Sequence, residues 1–251
     1  MALSEEVAWV TGSSTGIGRA VAVELAAGGR RVVVHYNASE DEARDVVKDI
    51  EDSGGEASLV GGDVSDANEV GRMVGEIGDR YGRLDVLVNN AGSLIERRKL
   101  SEMTEDLWER VMAVNLKSVY LVSQAVLPLM KRRGRGRIIN MTSVAARNGG
   151  GPGSVAYATA KGGVSTLTRA MAKELVSENI LVNGVAPGVI TTPFHDRFTP
   201  PDVRESLTNA IPMGREGTPA ETAGVVAFLA SPAADYLVGE IIEVNGGQLM
   251  S

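Results

Sequence analysis

Val7-Ala8-Trp9-Val10-Thr11-Gly12-Ser13-Ser14-Thr15-Gly16-Ile17-Gly18 decides how this chain is read. Four consecutive apolar residues suit a strand covered on both faces, as parallel strands are. A glycine-rich turn follows at once, and a helical pattern opens at Gly16. Glycines permit the tight turn, and a helix N-terminus holds pyrophosphate through free N–H groups and its dipole. The spacing differs from G-x-G-x-x-G, and a glycine-rich turn is weak evidence alone. Its place between the first strand and the first helix favours a dinucleotide site, with Gly12, Ser14, Thr15, Gly16, Ile17 and Gly18 as expected contacts.

The pattern repeats outward from there. Short apolar runs fall at 7–10, 31–34, 57–60, 84–88, 137–140, 180–183 and 240–244. Helical patterns lie between them, at about 16–28, 40–53, 66–81, 104–132, 155–178 and 219–230. Asp66 and Thr104 suit helix N-caps. Alternating strand and helix implies an α/β chain with a Rossmann-type, doubly wound parallel sheet and helices on both faces. No linker or repeat divides the 251 residues, so residues 1–251 are expected to form a single NAD(P)-binding domain. Ligands in such sheets bind beyond the carboxyl ends of the strands.

Composition narrows the function. Cysteine is absent, which removes disulfides and thiol chemistry and fits a reducing, cytoplasmic setting. The two histidines, His35 and His195, do not form a metal cluster, and no metal is expected. The net charge of −7 argues against nucleic acid as a partner. No run of eighteen apolar residues predicts a membrane span. Met1-Ala2-Leu3-Ser4-Glu5-Glu6 lacks the basic and apolar regions of a signal peptide.

Polar residues gather where the strands end. The second strand closes on His35-Tyr36-Asn37, with no acid to bond ribose hydroxyls. That leans towards NADP, with NAD possible, and places Tyr36 and Asn37 near the adenosine. Asp63, followed by Val64, is positioned to accept from an adenine amino group or to form a local turn. In Asn89-Asn90-Ala91-Gly92 small residues let a cofactor pass close to backbone, so Asn89, Ala91 and Gly92 are expected contacts. Asn115 sits inside a long helical pattern, where a buried Asn must find hydrogen bonds and can bend the helix. Tyr157 and Lys161 stand four residues apart, on one helix face. A nearby ammonium pulls a tyrosine pKa down, which suits acid–base work near neutral pH. Ser143, fourteen residues before Tyr157, is placed to hold a carbonyl or alcohol oxygen.

These residues, with Pro187-Gly188-Val189-Ile190-Thr191-Thr192, together resemble the short-chain dehydrogenase/reductase family over essentially the whole chain. The resemblance implies a seven-stranded sheet, a nicotinamide cofactor and a homotetramer. It matches Asn115, Ser143, Tyr157 and Lys161 to a catalytic tetrad and Ile190 and Thr192 to residues that contact the nicotinamide, with Pro187 and Gly188 as further expected cofactor contacts. Among relatives the chain is most similar to 3-oxoacyl-carrier-protein reductases and bacterial glucose or polyol dehydrogenases. The implied reaction is hydride exchange between a carbonyl and a secondary alcohol on a small 3-oxoacyl or sugar-like molecule. The family spaces its Ser and Tyr by thirteen, one fewer than here, and the additional residue falls in the loop 147–153. Arg147 and His195 flank the expected pocket as substrate contacts, and 192–213 reads as a lid with a short helical pattern at 202–209. A non-catalytic NAD(P)-binding regulator on the same fold is the competing reading, disfavoured by the intact tetrad.

Overall fold

The structure, a computed structural model, describes residues 5–250. Met1–Ser4, on which the reading of the N-terminus rests, and Ser251 lie outside the described residues. The strands are β1 (Val7–Val10), β2 (Arg31–Tyr36), β3 (Glu56–Gly61), β4 (Val86–Asn89), β5 (Gly136–Met141), β6 (Ile180–Pro187) and β7 (Ile241–Val244). They form one seven-stranded sheet in the order β3-β2-β1-β4-β5-β6-β7, and every neighbouring pair is parallel. The strand order reverses between β1 and β4, which opens a crevice beyond their carboxyl ends. Val10 pairs with Val34 on one side, and Val88, next to Val10 on the other, pairs with Ile139, so the loops after these four strands leave the sheet together.

The helices are α1 (Gly16–Ala27), α2 (Glu40–Asp52), α3 (Ala67–Tyr81), α4 (Glu105–Met112), α5 (Ser118–Arg133), α6 (Ala145–Asn148), α7 (Val155–Leu175), α8 (Pro193–Phe198), α9 (Pro201–Asn209) and α10 (Pro219–Leu229). Alternation along each strand divides the core. Ala8, Val10, Val32 and Val34 pack with Val21 and Leu25 of α1, Val46 of α2 and Val226 of α10. Val7, Trp9, Val33 and Leu87 face the other way, against Met73 of α3, Val122 and Val126 of α5 and Ala172 of α7. Each valine, leucine or methionine among them, fully buried, contributes about 1.5–3 kcal/mol. The expected caps are present: Asp66 accepts from Asn68 and Glu69, and Thr104 accepts from Leu107.

The pattern read as one helix over 104–132 is broken. A π-helical turn at Ala113–Lys117 separates α4 from α5. Asn115 at its centre explains the break, because its Nδ2 donates to the carbonyl of Val111 at 2.8 Å, bringing a side chain into the helical ladder. By length and composition the stretch Glu105–Arg133 is apolar enough to cross a membrane. Here Val122, Val126, Leu129 and Met130 of α5 pack against the sheet, and Leu107 and Val111 of α4 pack with Ala156 of α7.

Candidate active site

The crevice at the strand ends is a cleft of about 630 Å³. Its floor on one side is the turn between β1 and α1. Gly12 has φ +61, and a Cβ there would lie 3.0 Å from Ala91 Cα. A Cβ on Gly18 would lie 2.3 Å from the Gly12 carbonyl and 2.5 Å from Asn90 Nδ2. No side chain fits at either position, so the turn stays close to the loop after β4. Thr15 precedes α1 without a side-chain cap, and the first turn holds no acid. The N–H groups of that turn are therefore free for an anion, the chemistry a dinucleotide pyrophosphate needs. Ser14, Thr15, Gly16 and Ile17 line this end with Gly12 and Gly18.

His35, at the end of β2, is buried against the cleft wall. It is 1% exposed. The Gly12 N–H donates to His35 Nδ1 at 2.8 Å, and His35 Nε2 lies 3.0 Å from the Gly62 carbonyl. Accepting at Nδ1 leaves the proton on Nε2, which donates to Gly62. Burial holds the imidazole well below its ordinary pKa, at about 4, and the Gly62 contact and Asp63 only partly oppose that. A neutral histidine thus fastens the pyrophosphate turn to the turn after β3. The one sequence signal was a titratable residue inside an apolar strand.

Tyr36, Asn37, Asp63 and Val64, the residues expected near adenosine, line the cleft. Asp63 Oδ1 also accepts from the N–H and hydroxyl of Ser65, at 2.8 and 2.7 Å, so it shapes its turn as well. Ala91 and Gly92 reach the cleft, but Asn89 does not. Asn89 is buried beneath it and donates to Ser123 and to Asn140, each at 2.9 Å. Asn140 donates in turn to Thr168 of α7. The residue at the cleft is Asn90, whose Nδ2 donates to the carbonyls of Thr11 and Gly12. The expectation for Asn89 is corrected accordingly: successive strand residues face opposite sides, and Asn89 faces the interior.

At the opposite end α7 presents Tyr157 and Lys161 together, and Ser143 follows β5. Lys161 is 3% exposed and its Nζ donates to the Met141 carbonyl at 2.7 Å. That Nζ lies 5.7 Å from the centre of the Tyr157 ring. Burial lowers the lysine to about 8. Burial also pushes the tyrosine up to about 12, while the Ser143 hydroxyl and the Arg97 guanidinium pull it down. The expected lowering of Tyr157 by its lysine is not found, because desolvation disfavours both charges and the ammonium is turned to a carbonyl. Tyr157 is therefore a protonated phenol at neutral pH, fit to donate. Asn115 is fully buried outside the cleft wall, held by Ser93 and Val111, and a Cβ on Gly92 would come within 2.7 Å of its Oδ1.

Pro187, Gly188, Ile190 and Thr192 line the same end, below the segment expected to be a lid. That segment forms two helices, α8 and α9, rather than one short pattern. Pro193 and Pro201 stand at their first turns, where proline's missing N–H costs nothing. Phe194 packs 5.7 Å from the Tyr157 ring, and His195 reaches the cleft with its Nδ1 3.1 Å from Thr199 Oγ1. Arg204 bonds Glu216 at 2.6 and 2.7 Å, and Glu216 accepts from Thr191, so α9 is tied to both ends of the segment. Arg147 is corrected as well. It is exposed, outside the cleft wall, and pairs with Glu243 at 3.7 Å.

A family model described as Enoyl-(Acyl carrier protein) reductase matches residues 12–248. The chain is 44% identical over 250 residues to a 3-oxoacyl-[acyl-carrier-protein] reductase of Synechocystis sp., covering 99% of both. It is 42% identical over 243 residues to 3-oxoacyl-[acyl-carrier-protein] reductase FabG of Staphylococcus aureus, covering 97% of this chain and 98% of that one. The crystal structure of a dehydrogenase/reductase from Sinorhizobium meliloti superposes with a TM-score of 0.93 at 33% identity, covering 99% of this chain and 97% of the other.

Proposed function

The chain belongs to the short-chain dehydrogenase/reductase family, and we propose that it is an NAD(P)-dependent oxidoreductase interconverting a carbonyl and a secondary alcohol. One observation carries this reading. A protonated Tyr157, Lys161 and Ser143 converge on one end of a cleft whose other end is a glycine turn at a helix N-terminus. A regulator that only bound nucleotide would have no use for the first end. Substrates of the 3-oxoacyl class follow from the relatives' names, and sugar or polyol substrates from the sequence resemblance.

A bound nicotinamide dinucleotide supplies the hydride. The residues fitted to hold it are the Gly12–Gly18 turn for pyrophosphate, Tyr36, Asn37, Asp63 and Val64 for adenosine, and Pro187, Gly188, Ile190 and Thr192 at the nicotinamide end. The second strand ends without an acid, which supports NADP over NAD. Tyr157 Oη gives its proton to the substrate oxygen as that oxygen becomes an alkoxide, and Ser143 Oγ donates a hydrogen bond to the same oxygen. Such proton transfer is worth roughly 10²–10⁴-fold in rate. The Ser143 hydroxyl and the Arg97 guanidinium favour the phenolate left by the transfer, and Lys161 keeps a further positive charge 5.7 Å from the ring. Asn115 holds the loop after β4 and the helix break in register with that pair.

Following the nicotinamide absorbance with NADPH or NADH and a panel of 3-oxo thioesters, sugars and simple ketones tests the proposal. Tyr157→Phe should lower turnover by several orders of magnitude and leave cofactor affinity nearly unchanged. Near-normal turnover in that variant overturns the assignment. We further propose one domain over 1–251, a cytoplasmic location, and a homotetramer. Tyr120 on α5 and Phe228 on α10 leave apolar surface exposed, which supports assembly. Light scattering at micromolar concentration should give four times the 26.3 kDa chain mass, and a monomer there refutes it.

A further inference from the structure

Among the described residues, Arg97 is a guanidinium without a carboxylate partner at the Tyr157 end of the cleft. The other arginines around it are engaged. Arg98 pairs with Glu96, Arg147 with Glu243, and Arg204 with Glu216 and Asp196. Arg197 is exposed and lies over the Phe198 ring at 5.0 Å. Arg97, by contrast, is half-buried and bonds only backbone among the described residues. Its Nε donates to the Phe198 carbonyl at 2.5 Å, and its Nη1 donates to the Pro152 carbonyl at 3.2 Å. Burial lowers its pKa, while Tyr157 is near enough to oppose that shift.

These two carbonyls aim the side chain. One belongs to the end of α8, in the segment 192–213. The other belongs to the loop that carries the residue additional to the family's spacing, and that loop also accepts from the Arg98 N–H through Gly153. A guanidinium has five N–H donors. Two are spent here, and the Nη2 edge remains for a ligand. Charge points the same way. Among the described residues lining the cleft, the cations Arg97, Lys161 and Arg197 all lie at this end, and the only acid, Asp63, lies at the adenosine end. In a protein of net charge −7 this is a local excess of positive charge, with no acid among the described residues lining that end. A buried charge is normally paired, and an unpaired one in a cleft marks a place where a ligand supplies the partner.

Resting on the oxidoreductase reading above, we propose that the substrate of this enzyme carries a carboxylate as well as the reacting carbonyl, and that Arg97 is the specificity residue that binds it. The two Nη2 N–H donors and the second N–H of Nη1 remain, and they match one monoanion held by charge-assisted hydrogen bonds. A phosphate monoester, with close to two negative charges, would leave one unmatched. The oxo acid is thus oriented from both ends: its carbonyl oxygen at Tyr157 and Ser143, and its acid group at Arg97.

The test uses the purified full-length enzyme and matched pairs, each a free oxo acid and its methyl ester: acetoacetate, 4-oxopentanoate and 5-oxohexanoate. Dihydroxyacetone phosphate and dihydroxyacetone form a further pair. In at least one acid–ester pair, kcat/KM for the acid should exceed that for the ester by about 10–100-fold, the range a charged hydrogen bond supplies. The difference should lie mainly in KM. Arg97→Met should lower kcat/KM for the acid at least tenfold more than for its ester, and Arg97→Lys should restore part of the gap. The ester serves as the control for a disturbed fold, since loss of the braces at Phe198 and Pro152 would lower both members alike. Equal turnover of acid and ester at all three spacings, or parallel losses in Arg97→Met, overturns the inference while the oxidoreductase reading stands. Discrimination confined to the phosphate pair overturns it as well. If none of these compounds, and none of the panel above, is turned over by enzyme that binds NADPH, both readings fall together.

Discussion

Replacing His35 with Phe keeps the ring and removes both of its hydrogen bonds, so it isolates what this buried histidine does for the cofactor turn. The Gly12 N–H loses its acceptor and the Gly62 carbonyl loses its donor. A buried backbone group left unpaired costs about 1–3 kcal/mol, and water reaches these partly buried groups, so the pair should cost about 2–3 kcal/mol. For a chain of this size that is roughly 4–10 °C in Tm. The same change frees the turn that receives pyrophosphate, so cofactor Kd should rise about tenfold or more, read by titration calorimetry. A second arm uses acid. The folded-state pKa of about 4 lies below the ordinary 6.5, so the unfolded chain takes up this proton first. The contribution is complete above pH 6.5 and is lost as pH falls towards 4, at about 1.4 kcal/mol per pH unit and about 3 kcal/mol in all. Urea unfolding of wild type and His35→Phe between pH 7 and 4 should show that slope in the first and its loss in the second. Equal Tm, equal Kd and equal slopes would refute the role assigned to His35.

Two further outcomes are expected. With Lys161 lowered to about 8, its charge is present below that pH and lost above it, so the rate of carbonyl reduction should fall through an alkaline limb near pH 8; Lys161→Arg should move that limb upward or remove it. Glu216 is held down to about 2 by Arg204, so its stabilising pairing persists above pH 4.5 and disappears between 4.5 and 2; Glu216→Gln should speed hydrogen exchange in α9 severalfold at neutral pH, and unchanged exchange would show that the ion pair does not hold α9 in place.

The strands, the doubly wound order of layers and the cofactor turn were legible because each rests on local chemistry: apolar runs, glycines where no Cβ fits, and caps at Asp66 and Thr104. What the sequence concealed depends on partners far along the chain. Asn89 and Asn90 are adjacent and chemically identical, and only the facing of β4 sends one into the Ser123–Asn140 network and the other to the cleft. Arg147 and Arg97 look equally suited to a substrate until Glu243, about a hundred residues away, takes the first. The helix break at Asn115 needs the Ser93 carbonyl and amide to draw the side chain in. The tyrosine–lysine spacing is helical arithmetic, but the pKa direction follows from burial, which spacing does not report.

The order β3-β2-β1-β4-β5-β6-β7 has a consequence for synthesis on the ribosome. Every strand, as it emerges, joins an edge that already exists: β2 and β3 on one side of β1, then β4 to β7 in turn on the other. None has to be threaded between two strands already paired. The sheet can therefore grow with the nascent chain, and the half built on β1, β2 and β3 is complete before the half bearing Tyr157 has been translated. The growing edge stays open until the end. β6, almost wholly buried in the finished protein, has no neighbour on its outer side until Ile241–Val244 is released. A chain that stops short of residue 241 would expose that apolar edge to other molecules, and such truncations should be recovered in inclusion bodies rather than as shortened enzymes.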